Sequence, residues 1–167
     1  MQNHHPRIAG LWLPLITPFK DGRLDEISLR RLLRHYGDSP VDGLILAATT
    51  GEGLTLEEDE IARLVATAAA ETGGGLPIYL GLSGSDTRKV AQALERTEGW
   101  SIDGYLVTCP YYTRPSQEGL ASHFVTLAGR TDRPIVVYNI PYRTGVNIEN
   151  ETLLRLAAVA NIVAVKD

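Results

Sequence analysis

The segment Asn161-Ile162-Val163-Ala164-Val165-Lys166-Asp167 sets a lysine at the end of an otherwise apolar run. Burial in a low-dielectric pocket disfavours the ammonium form, and the neutral amine that results is the nucleophile a carbonyl compound needs for imine formation. The bland alternative is a side chain that lies along the strand and lifts its charge into solvent. Upstream, Pro134-Ile135-Val136-Val137-Tyr138-Asn139-Ile140-Pro141-Tyr142-Arg143-Thr144-Gly145 ends a second apolar run on Tyr138 and places Arg143 in the loop just beyond. A phenol can carry protons to and from carbinolamine and imine intermediates, and a guanidinium offers forked donors to a carboxylate. Without that context, the pair reads as a core tyrosine with a satisfied hydroxyl and a solvated arginine.

Two further segments carry usable groups. Ala47-Ala48-Thr49-Thr50-Gly51-Glu52-Gly53 brings two hydroxyls and a flexible Gly51 to the end of an apolar run, where hydroxyl and backbone N–H groups can hold a small anion. It lacks the Gly-Lys-Ser/Thr of a Walker loop and the dinucleotide fingerprint, and it also fits an ordinary strand-to-helix turn. Cys109-Pro110-Tyr111-Tyr112-Thr113-Arg114-Pro115-Ser116-Gln117-Glu118-Gly119 sets adjacent tyrosines on a proline-bracketed loop, suited to an interface or to covering a rim. The single cysteine, Cys109, reads as a small buried hydrophobe with no chemistry.

The elements that must position these groups alternate regularly. Ile8 to Ile16, Gly43 to Ala48, Pro77 to Leu82, Gly104 to Thr108, Pro134 to Asn139 and Ile162 to Lys166 are short, rich in Ile, Val, Leu and Tyr, and read as fully buried parallel strands. Between them, Ile61, Leu64, Val65, Ala68 and Ala69 recur at helical spacing, with Thr55 and Glu58 as the expected capping box. Val90, Ala93 and Leu94 follow a cap at Asp86, and Leu120, Phe124, Leu127 and Ala128 follow one at Ser116. Asp25 and Asn150 start the remaining two helices, and no linker divides the chain. The alternation admits an open doubly wound sheet or a closed eightfold barrel. A complete barrel needs about 250 residues, so a barrel reading implies one that is unfinished.

Composition bounds the rest. With 44% hydrophobic and 22% charged residues, a net charge of -4 and no basic run, the chain reads as one soluble α/β domain with no surface for nucleic acid. No segment is apolar for long enough to cross a bilayer, and residues 1–7 hold no signal-peptide core, so a cytoplasmic protein is expected. No metal-ligand cluster is expected.

Taken in order, Leu15-Ile16-Thr17-Pro18-Phe19, Thr49-Thr50-Gly51-Glu52, Pro110-Tyr111-Tyr112 with Arg114-Pro115-Ser116-Gln117-Glu118-Gly119, Tyr138-Asn139-Ile140-Pro141 with Arg143-Thr144-Gly145, and Lys166 resemble the pyruvate-dependent aldolase family that includes dihydrodipicolinate synthase and N-acetylneuraminate lyase. The likeness covers the whole chain. It implies a (β/α)8 TIM barrel of which residues 1–167 carry about the first six strands, as a single domain truncated on its C-terminal side. It further implies that Lys166 forms the imine with pyruvate, Tyr138 relays protons, and Thr50, with Gly51, holds the pyruvate carboxylate. Thr49 would link two tyrosines, one of them Tyr112 from a neighbouring subunit of a homodimer or homotetramer. Arg143 would receive the carboxylate of aspartate semialdehyde. No metal or diffusible cofactor is implied, because the protonated imine is itself the electron sink.

Arg143-Thr144-Gly145 and the Tyr111-Tyr112 loop are similar to the synthase branch, while sugar-acid aldolases and dehydratases share most of the framework. Ala48 and Gly53 depart from the Gly and Ser found in many synthases. Where feedback-inhibited members bind lysine through histidines and a glutamate, the aligned positions here are Glu58, Ile61 and Lys89, which implies weak or absent lysine inhibition. Two rivals remain: a non-catalytic barrel that keeps the scaffold, and a doubly wound phosphate binder, against which Thr17-Pro18-Phe19 stands where a glycine-rich loop belongs. The chain is expected to be part of a longer one, and to fold poorly alone because six strands leave sheet edges unpaired.

Overall fold

The computed structural model describes residues 8–167, so the reading of residues 1–7 lies outside the described residues. The chain divides into two compact units, one of Ala9–Gly81 with Trp100–Asp103, the other of Leu82–Gly99 with Gly104–Asp167.

The first unit opens with strand β1, Trp12–Pro14, shorter than the Ile8 to Ile16 run expected. A two-residue hairpin follows, β2 at Phe19–Lys20 and β3 at Arg23–Leu24, which the apolar pattern is too short to announce. Helix α1, Glu26–Gly37, starts where Asp25 accepts from the N–H groups of Ile27 and Ser28, both at 3.1 Å. That is the expected N-cap. Strand β4, Gly43–Leu46, is fully buried, as a parallel strand should be. It pairs parallel with β1 through Leu13 and Leu44, and with strand β5, Ile78–Leu82, through Ile45 and Tyr79.

Between them runs helix α2, Glu58–Thr72, whose buried Leu64, Val65 and Ala68 confirm the expected stripe. The expected capping box does not form. Thr55 is taken up in a short 3-10 turn, Gly53–Thr55, and its hydroxyl donates to the Glu52 carbonyl at 2.9 Å. The box moves along the chain: the Glu57 carboxylate accepts from the backbone of Glu60, and Glu60 accepts from the Glu57 N–H at 3.1 Å. Arg30 and Arg34 of α1 both grip Glu71 of α2 at 2.8 Å, Arg34 first and then Arg30 holding its carboxyl below the usual range.

In the second unit, Asp86 caps helix α3, Thr87–Thr97, and Ser116 caps helix α4, Gln117–Ala128, both as expected. Strand β6, Gly104–Thr108, pairs parallel with strand β7, Ile135–Tyr138. A one-turn helix, α5 at Pro141–Thr144, stands where a plain loop was expected; Pro141 fits its first turn, and Gly145 ends it at φ 76, which glycine adopts without steric cost. Helix α6, Asn150–Leu156, starts at Asn150 as expected, with Glu149 in the cap position. Strand β8, Ile162–Lys166, pairs parallel with β7 after an irregularity beside Ile135.

Candidate functional site

Register decides which side chains meet at the end of β7 and β8. Tyr138 is the direct partner of Lys166, and Thr108 of β6 is the partner of Tyr138, so the three project from one face of this unit's sheet. Tyr105 lies on the other face, where its hydroxyl reaches the Thr97 hydroxyl of α3 at 3.0 Å. The helices therefore cover the face opposite Tyr138 and Lys166.

Lys166 does not run out along the strand toward solvent. Its Nζ lies 3.9 Å from the centroid of the Tyr138 ring, and that ring is only 8% exposed. The Asn139 N–H donates to the Lys166 carbonyl at 2.9 Å, which locks the two strand ends in this register. The buried Asn139 amide donates to both Asn147 and Asp167 at 2.8 Å, and its oxygen accepts from the Ile148 N–H at 3.1 Å. The amine packs on the face of the Tyr138 ring, and an amine and a phenol at adjacent strand ends are parts that carbonyl condensation uses.

Arg143 is exposed on α5, with its guanidinium carbon 5.4 Å from the centroid of the Tyr142 ring. Tyr112, 91% exposed, stands on the loop after β6 with φ 70, a left-handed conformation costly for an aromatic residue. Arg114, also left-handed at φ 48, ties that loop down by donating from Nε to the Gly145 carbonyl at 2.8 Å. Gln117 makes a second tie: its amide donates to the Asn147 carbonyl, and its oxygen accepts from the Glu149 N–H and the Thr152 hydroxyl. Asn139, Arg114 and Gln117 thus hold the backbone around Tyr138 and Arg143. All three stand in the sequence motifs above, which give no sign of these partners. Cys109 is fully buried, and burial pushes its thiol up to about 12, which fits the inert reading.

Thr49, Thr50 and Gly51 belong to the first unit, in the turn that follows β4. Both threonines are exposed and Gly51 is buried. The turn is tight: Ala47 and Glu52 take left-handed φ values of 52 and 53, and the Thr17 hydroxyl donates to the Gly51 carbonyl at 2.7 Å. A Cβ on Gly53 would run into the Ala47 carbonyl, so this turn as built requires glycine there.

Parallel strands joined by helices, with polar groups collected at the strands' C-terminal ends, are the pattern of (β/α)8-barrel proteins. The chain belongs to the Dihydrodipicolinate synthetase family, whose sequence model matches residues 7–167. It is 45% identical over 161 residues to 4-hydroxy-tetrahydrodipicolinate synthase 2 of Clostridium acetobutylicum, covering 96% of this chain and 56% of that protein. The crystal structure of dihydrodipicolinate synthase from Thermotoga maritima matches with a TM-score of 0.93 and 40% identity, over 98% of this chain and 55% of that one. A solved monomeric dihydrodipicolinate synthase variant matches with a TM-score of 0.92 and 40% identity, over 95% and 53%. The chain therefore spans about half the length of the relatives it matches, and it carries six of the barrel's strands; the doubly wound alternative falls away. No helix among the described residues is long and apolar enough to cross a membrane.

Proposed function

We propose that the protein acts as a 4-hydroxy-tetrahydrodipicolinate synthase-type lyase that condenses pyruvate with aspartate semialdehyde through an imine on Lys166. The observation that carries this reading is the placement of Lys166 Nζ 3.9 Å from the Tyr138 ring. The Lys166 amine adds to the pyruvate ketone, and Tyr138 supplies and removes the protons that turn the carbinolamine into a protonated imine with loss of water. Loss of a methyl proton then gives the enamine, the imine nitrogen taking up the electron pair. The enamine carbon attacks the aldehyde, whose oxygen takes a proton. The second substrate's amine closes onto the imine carbon and releases Lys166, giving hydroxytetrahydrodipicolinate. No diffusible cofactor enters.

In this reading Thr50 and the Gly51 backbone hold the pyruvate carboxylate, Thr49 links Tyr138 to Tyr112 of a neighbouring subunit, and Arg143 takes the aldehyde's carboxylate. The exposure of Tyr112 supports a role across an interface. The reading takes the assembly as a homodimer or homotetramer working in the cytoplasm. Lys89 is exposed on α3 beside a cavity of about 360 Å³ that also reaches Asp86 and Tyr111; if lysine binds there, the Lys89 ammonium repels the inhibitor's own, and weak or absent lysine inhibition is expected. Turnover of pyruvate plus aspartate semialdehyde by the intact protein, run beside N-acetylneuraminate and 2-keto-3-deoxy sugar acids, tests the reading. Preference for a sugar acid refutes the substrate assignment, and no turnover of any refutes the activity.

A further inference from the structure

Arg143 sits on a turn whose backbone is fixed from several sides. Gly145 N–H closes α5 onto the Pro141 carbonyl at 2.8 Å, and the buried Thr144 hydroxyl donates to Ile140 at 3.1 Å or Val146 at 3.0 Å. Arg114 Nε holds the Gly145 carbonyl at 2.8 Å. With the backbone held, the freedom left to Arg143 lies in its side chain, which carries about 2 kcal/mol of rotamer entropy in solution. Neighbours at i and i+1 on a helix do not face each other, so spacing alone does not bring Arg143 against Tyr142. Yet its guanidinium carbon lies 5.4 Å from the Tyr142 centroid, within the range where a ring face attracts a cation. Tyr142 is 81% exposed, an aromatic ring that adds little to the core.

We propose that Tyr142 is a positioning residue for the second substrate: its ring face holds the Arg143 guanidinium in the orientation that receives a carboxylate. The inference rests on the proposed role of Arg143 and deepens it. It assigns to Tyr142 the ring face alone, with no part for the hydroxyl. The ligand class is an aldehyde that carries a carboxylate remote from the reacting carbon.

Steady-state kinetics on the intact protein with Tyr142→Ala and Tyr142→Phe test this. Tyr142→Ala raises the KM for aspartate semialdehyde about two- to fivefold, the size of one exposed cation–π contact, while kcat and the KM for pyruvate hold. Tyr142→Phe, which keeps the ring, restores the wild-type KM. An unchanged KM in Tyr142→Ala overturns the proposal, as does equal damage in both variants or a loss confined to kcat. Reductive trapping of pyruvate on the wild-type protein runs alongside: absence of an adduct removes the parent reading and this inference with it. A normal adduct with an unmoved KM removes this inference alone.

Discussion

Lys166 and Tyr138 are direct register partners on adjacent parallel strands, with the lysine Nζ 3.9 Å from the tyrosine centroid. Because the ring is buried and the Asn139 N–H bonds the Lys166 carbonyl, the pair is set by the sheet and not by loop conformation. Sites carried on such elements are held more precisely than sites on loops.

The phenol's contribution is separable from the ring's. Tyr138→Phe keeps the ring beneath the amine and removes the hydroxyl. It is expected to lower kcat by about a hundredfold or more, the range of general acid–base catalysis, with the thermal midpoint little changed. Stopped-flow and steady-state assays read the first, and a melting curve reads the second. Wild-type turnover in Tyr138→Phe would remove Tyr138 from the proton path.

The turn after β4 is built around Gly53. Gly53→Ser places a Cβ against the Ala47 carbonyl, and the turn bearing Thr49, Thr50 and Gly51 must shift to admit it. The expected cost is about 1–3 kcal/mol, typical of overpacking, together with a raised KM for pyruvate. Urea unfolding at constant slope measures the first. A midpoint equal to wild type would show that the turn relaxes freely.

His123 gives the second unit a pH dependence of known sign. The ring is 3% exposed, its Nδ1 lies 2.8 Å from the Thr87 hydroxyl, and burial pushes its pKa down to about 4 from the ordinary 6.5. Between those values the unfolded chain binds the extra proton, so this contribution is fully present above about pH 6.5 and declines as pH falls toward 4. It amounts to about 3 kcal/mol at most. His123→Gln keeps a hydrogen-bonding side chain without the titration and should flatten unfolding free energy against pH across that window. The carboxyls of Asp25, Asp86 and Glu118, held low by the hydroxyl of Ser28, by Arg88 and by Arg155 respectively, are common to both proteins and cancel. An unaltered slope would mean that His123 titrates normally.

What the sequence made legible follows from range. β6, β7 and β8 are continuous apolar runs, and a lysine or tyrosine ending one is visible without any partner. Asp25, Asp86 and Ser116 act within a turn of their own positions, so their caps were legible too. Thr55 misled because Thr-x-x-Glu satisfies the capping signature while a 3-10 turn captures the threonine first. Helix α5 is a single turn of four residues, below the length at which a periodicity exists. Arg114 and Gln117 stayed hidden for another reason. Their partners are backbone carbonyls, Gly145 and Asn147, 31 and 30 residues away, and a carbonyl is present at every position.

Reductive trapping addresses the central claim most directly. The intact protein is incubated with pyruvate and borohydride, digested, and analysed by mass spectrometry. The expected result is one reduced pyruvate on the peptide containing Lys166, absent in Lys166→Arg. No adduct on the wild-type protein, or an adduct that survives Lys166→Arg, would contradict it.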